Sequence, residues 1–247
     1  MVVSPQRSPA NCRCGLGIGY SKIMRNLLGF ILVLVKWPLA IAVALCTPAA
    51  AVAFWQLLCG AWAAAVWKSP FGIGFIVAGI AWLLFSRTKI VGFLSTMEHE
   101  LTHAIAAWMT FVPVIELRST DGTTGSDSMG HVRLGGSNWL ISSAPYFFPT
   151  VSAAVLIATW ALAATPTDLA RGLLGAATAY SVFSTWREMH FHQTDLKQIS
   201  FPFAFLFLPG ANMLCYGLLL ANELGGPSKA GAYTVEAIHI TRGWIGM

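Results

Sequence analysis

Long apolar runs separated by short polar punctuation set out the plan of this chain. Between Asn26 and Trp67 the only charged residue is Lys36. That run is long enough for two tightly connected helices, or for one helix after an interfacial stretch, with Pro38 and Pro48 as break points. Further apolar windows cover roughly 70–86, ending at Arg87 and Lys89, then 90–113, 139–164, 169–186 and 201–222. Most of them approach or exceed the ~20 residues that a helix needs to cross ~30 Å of hydrocarbon. The pattern changes in "VIELRSTDGTTGSDSMGHVRLGGSNW" (114–139), where alternating arms flank a turn-rich middle; this reads as a β-hairpin or loop near the membrane surface. A shorter polar insert, "REMHFHQTDLKQ" (187–198), precedes the last window.

The expected fold is an all-α polytopic membrane protein of six or seven transmembrane helices with a short membrane-associated β-hairpin or loop. Residues 1–26 are expected to form a flexible basic N-terminal tail, 27–222 a single transmembrane domain, and 223–247 a C-terminal tail.

Composition agrees with this plan. Of 247 residues, 56% are hydrophobic and only 10% charged, against about 25% charged in soluble domains. Mean hydropathy is +0.65, and the ten tryptophans suit interfacial anchoring. The net charge of +5 is spread along loops and termini with no basic cluster, which excludes nucleic acid as the expected partner. Arg7, Arg13, Lys22 and Arg25 lie near the N-terminus without an acidic neighbour and assign that end to the cytoplasm. Six spans then place Arg87 and Lys89 on the same side, and seven place them opposite. Five cysteines, three of them in apolar segments, imply no disulfide framework.

Against this background "TMEHELTHAIAA" (96–107) stands out, because ionisable groups inside an apolar span are costly unless paired, ligated or hydrated. His99-Glu100-Leu101-Thr102-His103 is an H-E-x-x-H. On a helix, positions i and i+4 share a face, so both imidazoles reach one metal ion while Glu100 projects toward a bound water as general base. Zn²⁺ suits such a site, accepting imidazole and carboxylate ligands and leaving one position for water. With six His and six Glu in the chain, chance supplies the motif roughly once in three hundred such sequences, so a functional origin is preferred. Glu98 points away from the shared face and reads as a hydrogen-bonding group.

A third protein ligand is expected in the insert before the last apolar window. Asp195 is the first choice, because a carboxylate completes a His₂Asp site at a membrane boundary; Glu188, His190 and His192 are the alternatives. Pro145 and Pro149 bend or interrupt the helix after the polar loop. Asn212, in "LPGAN", is read as an interhelical contact or a bond to substrate backbone.

An H-E-x-x-H in a membrane helix, followed by a Gly-rich polar segment and a later Asp beside another membrane helix, resembles the site-2 protease family of intramembrane zinc metalloproteases. "HELTHAIAA", "GHVRLGG" and "APYFFP" are similar to compact bacterial members that lack an inserted regulatory domain, and the resemblance covers about residues 90–222. It implies zinc bound by His99, His103 and Asp195, water activated by Glu100, and a strand region at 114–139 that helps to present substrate. It also implies a multi-pass protein of the cell membrane, the bacterial inner membrane, with its active site toward the cytoplasm.

The expected activity is hydrolysis of peptide bonds in or next to transmembrane segments of other membrane proteins, with the bilayer as the second partner. Two alternatives come from other classes: a transporter or channel that uses His99, Glu100 and His103 as an ion pathway, and a catalytically silent scaffold of protease type.

Overall fold

Helix is the natural state of such a chain, because a backbone that meets hydrocarbon must satisfy its own hydrogen bonds. The computed structural model describes residues 15–119, 130–162, 167–244 and 246. Its helices are α1 (Gly15–Ala63), α2 (Pro70–Phe85), α3 (Lys89–Met109), α4 (Trp139–Ser143), α5 (Thr150–Leu162), α6 (Asp168–Glu188), α7 (Thr194–Ile199) and α8 (Phe201–Trp244). Strands β1 (Val114–Ser119) and β2 (Gly130–Leu134) pair antiparallel between α3 and α4, with an irregularity between Val114 and Glu116.

Two segments, Met24–Ala63 and Phe201–Trp244, are each long and apolar enough to cross a membrane. Two bent pairs pass the same test jointly: Pro70–Phe85 with Lys89–Met109, bent by 118°, and Trp139–Tyr146 with Thr150–Leu162, bent by 82°. This gives two to four candidate spans.

The distribution of side chains is that of a membrane protein. Leu45, Leu83, Leu84, Ile90 and Phe205 face outward, whereas Ser95, Thr102, Ser143, Ser152 and Ser181 are buried. In lipid, apolar side chains gain little by turning inward, and helices associate through small and weakly polar residues. The α2–α6 contact shows this: a Cβ on Gly74 would overlap the Gly172 carbonyl oxygen, and one on Gly175 would overlap that of Phe71. α1 and the first part of α8 run side by side, with Lys36 at Ile199, Val43 and Thr47 at Gly210, and Ala53 and Leu57 near Ala221.

Three expectations are corrected. Neither Pro38 nor Pro48 divides α1, which runs through both; a proline removes a single ladder bond, and such a loss is tolerated within membrane helices. The N-terminal tail is helical from Gly15, while residues 1–14 lie outside the described residues. The C-terminal segment 223–247 is a packed helical arm for most of its length. α8 breaks at Gly225 and Gly226, the latter at φ 70°, and the chain folds back so that Tyr233 Oη donates to Met213 O at 2.9 Å. Gly217 leaves room for the Tyr233 ring, which is almost fully buried.

Candidate metal centre

α3 begins where Thr88 Oγ1 accepts the Val91 N–H, a side-chain cap that satisfies one free donor of the first turn. Its buried positions include Gly92, Ser95, His99, Thr102, His103 and Ala106, spaced by three and four residues. The polar face of this helix therefore turns inward, carrying both histidines with it.

Pro145 supplies the next constraint. Having no N–H, it cannot bond to the carbonyl four residues back, and Ile141 O is left free at the end of the short α4. His103 Nδ1–H donates to that oxygen at 2.8 Å, which fixes the tautomer and aims the Nε2 lone pair away from the bond. His103 Nε2 lies 3.1 Å from His99 Nε2. Asp195, in the first turn of α7, brings Oδ2 to 3.4 Å from His99 Nε2 and 3.2 Å from His103 Nε2. Among the described residues, the basic groups within 4.0 Å of the Asp195 carboxylate are these two imidazoles. His99, His103 and Asp195 thus form a group whose ligand atoms lie within 4.8 Å of one another and can hold a metal ion.

α7 is fixed from beneath. Leu196 and Ile199 are buried among Leu32, Trp139, Phe203 and Phe207. Lys36, the single charge in the long apolar run of α1, donates from Nζ to Ile199 O at 2.9 Å and stands 5.0 Å from the Phe203 ring centroid. A cation at the last carbonyls of a helix is favourable, and here it ties the helix that carries Asp195 to α1.

The other sequence candidates lie apart from the three ligand atoms. Glu188 accepts from Ser95 Oγ at 2.9 Å and from Gln193 Nε2 at 3.2 Å. His190 and His192 are exposed and face each other with ring centroids 6.2 Å apart. Glu98 is buried beside α5 and α6, where its Oε1 accepts from Ser181 Oγ at 3.0 Å and from the Val151 N–H at 3.4 Å. Glu100 Oε2 accepts the Val132 N–H at 2.8 Å, placing this carboxylate between α3 and the edge of β2. Asn212 ties α8 to the turn that follows α4, donating from Nδ2 to Tyr146 O at 2.9 Å, and also bonds within its own helix to Leu208 O at 2.9 Å.

Sequence reasoning did not single out Tyr146. Its ring is fully buried and stands edge-on to the His99 imidazole with centroids 5.4 Å apart, and its hydroxyl has no hydrogen-bond partner. Its place in "APYFFP", between two helix-breaking prolines, was the available signal.

Fold and site together define a helical membrane protein in which two buried histidines and a half-buried Asp195 form a group able to hold a metal ion. Comparison of the chain with protein-family profiles, curated proteins and solved structures finds no match.

Proposed function

We propose that the protein is an intramembrane zinc metallopeptidase of the site-2 protease type, a multi-pass protein of the cell membrane that hydrolyses peptide bonds in or next to transmembrane segments of membrane-protein substrates. The reading is carried by the spacing of the three ligand atoms. A tetrahedral ion with bonds of 2.0–2.1 Å has ligand-to-ligand edges of about 3.3–3.4 Å, and the three separations here are 3.1, 3.2 and 3.4 Å. Two imidazoles and one carboxylate are also a donor set of catalytic zinc sites, where a fourth position stays open. Zinc, when bound, polarises a carbonyl oxygen and brings the pKa of a water to about 7.

In this reading His99, His103 and Asp195 hold the ion, and Ile141 O keeps His103 in the required tautomer. Glu100, next to His99 in sequence, takes a proton from the attacking water and returns it to the leaving amine. Its present bond to Val132 N–H puts it beside the edge of β2 that is not paired with β1. An extended substrate segment adding to that edge would run past Glu100, and its unwound carbonyls would find backbone donors on the strand. The six apolar windows would supply six passes of the membrane. The bacterial inner membrane follows from the same resemblance.

The test uses purified full-length protein. Wild type is expected to carry about one zinc per chain and to cleave a membrane-anchored reporter. Glu100→Gln should retain zinc and lose cleavage by about 10²–10⁴-fold, the range for removal of a general base. Cleavage that survives the substitution overturns the reading, and zinc flux across liposomes would assign the site to transport instead.

A further inference from the structure

Tyr146 heads the fully buried side chains of the described residues by volume, and its hydroxyl is sealed from solvent without a protein partner. A phenylalanine would fill the same space without stranding a polar atom. Buried hydroxyls that lack a partner are rare because burial removes water without replacing its hydrogen bonds, so each calls for a cause. The surroundings supply one. The ring packs edge-on against His99, at 79° between planes, and the hydroxyl lies close enough to the Asp195 carboxylate to interact with it without a well-formed hydrogen bond, with Glu188 and Glu100 as the further carboxylates that act on it.

The position is also rigid. Ala144–Tyr146 is a single 3₁₀ turn between α4 and α5 with Pro145 at its centre, and Asn212 Nδ2 holds the Tyr146 carbonyl at 2.9 Å while bonding to its own helix through Leu208 O. A donor fixed in this way stabilises developing charge without reorganising at the moment of reaction.

We propose that the Tyr146 hydroxyl is a catalytic hydrogen-bond donor to the substrate oxyanion at the His99, His103 and Asp195 centre. The proposal rests on the metallopeptidase reading. In the step concerned, the water oxygen forms a bond to the scissile carbonyl carbon, and the π pair of the C=O bond moves onto the carbonyl oxygen. Glu100 takes the water proton. Tyr146 donates a hydrogen bond to the new oxyanion and keeps its own proton; when the C–N bond breaks, the electron pair returns to re-form C=O, and the amine leaves with the proton from Glu100.

Zinc-loaded wild type and Tyr146→Phe, both full length in detergent, separate this role from simple packing. Because the hydroxyl has no well-formed protein hydrogen bond to lose, zinc content and Tm of the variant should match or exceed those of wild type. A phosphonamidate peptide, whose tetrahedral anion imitates the oxyanion, should bind about 100-fold more weakly to the variant, while a small thiol that brings no oxygen binds equally to both. Turnover of the reporter should fall by about the same factor in kcat with KM nearly unchanged. Phosphonamidate binding within about threefold of wild type overturns the proposal, since one lost donor is worth about 10²–10³-fold; so does a variant that loses zinc, which would make Tyr146 a structural prop. If zinc-loaded wild type cleaves no reporter, the peptidase reading fails separately, and the phosphonamidate arm still decides whether Tyr146 faces an anion at the centre.

Discussion

Glu223 and Asp195 are carboxylates at different places in the helical bundle, and the molecule treats them differently. Glu223, on α8 just before the Gly225–Gly226 break, has a side chain only 4% exposed and is clasped by Arg171 of α6. Arg171 Nε lies 3.1 and 3.3 Å from its two oxygens, a second guanidinium nitrogen bonds to Oε1, and Ser69 Oγ donates at 3.4 Å. That carboxylate is neutralised by a cation written into the chain. Asp195 faces two imidazoles, which are ligands when neutral, while Lys36 is turned to the backbone of Ile199 and, among the described residues, no lysine or arginine lies within 4.0 Å of the carboxylate. The contrast separates structure from chemistry. Where Glu223 joins two helices, the sequence supplies the counter-charge; at Asp195 it assembles three electron-pair donors that can hold a metal ion.

The sharpest way to break the comparison is to remove the Asp195 carboxylate. Asp195→Ala should lower zinc affinity by more than the roughly 10–100-fold typical of a supporting residue, and stoichiometry measured by elemental analysis should fall from about one per chain toward zero. Zinc that survives this change but is lost on Glu188→Ala would reassign the third ligand. A smaller effect is expected one step back from the site. Lys36→Met removes the tie between α1 and the end of α7 while keeping the packing of the side-chain stem, so zinc should weaken by about 10–100-fold without loss of stoichiometry at saturating metal. Lys36→Arg should recover most of it, and an unchanged dissociation constant would show that α7 holds Asp195 without help from α1.

How much of this was legible in the sequence depends on the range of the forces involved. The helical windows could be read because a bilayer imposes length and apolarity locally: 70–86 corresponds to α2, 90–113 to α3 and 169–186 to α6. The shared face of His99 and His103 and the opposite heading of Glu98 follow from the helical repeat alone. The return arm of α8 was not legible, since "PSKAGAYTVEAIHITRG" lacks a long apolar run and is held by contacts such as Tyr233 with Met213 and Gly217. Lys36 looked like a lone charge because its partner is 163 positions away. Tyr146 was hidden for a related reason: its place between Pro145 and Pro149 marks a break in the helix, but the state of its hydroxyl is a property of the folded packing.

The last test works on the satisfied carboxylate and expects the least at the metal. Arg171→Met leaves Glu223 buried with Ser69 as its remaining side-chain donor. Breaking one side of a buried pair costs about 3–5 kcal/mol, whereas an exposed pair is worth under about 1. With Arg171 at 34% and Glu223 at 4% exposure, a loss of about 2 kcal/mol in unfolding free energy is expected, read from denaturation in detergent. Adding Glu223→Leu removes the stranded charge as well and should restore most of that loss, because an apolar pair of similar volume is often as stable as a buried ion pair. In both variants zinc affinity should stay within about twofold of wild type, as expected for sites that share no partners. A zinc affinity that falls along with stability would mean that the two regions are coupled through α6 and α8, and the division between a structural and a chemical carboxylate would have to be abandoned.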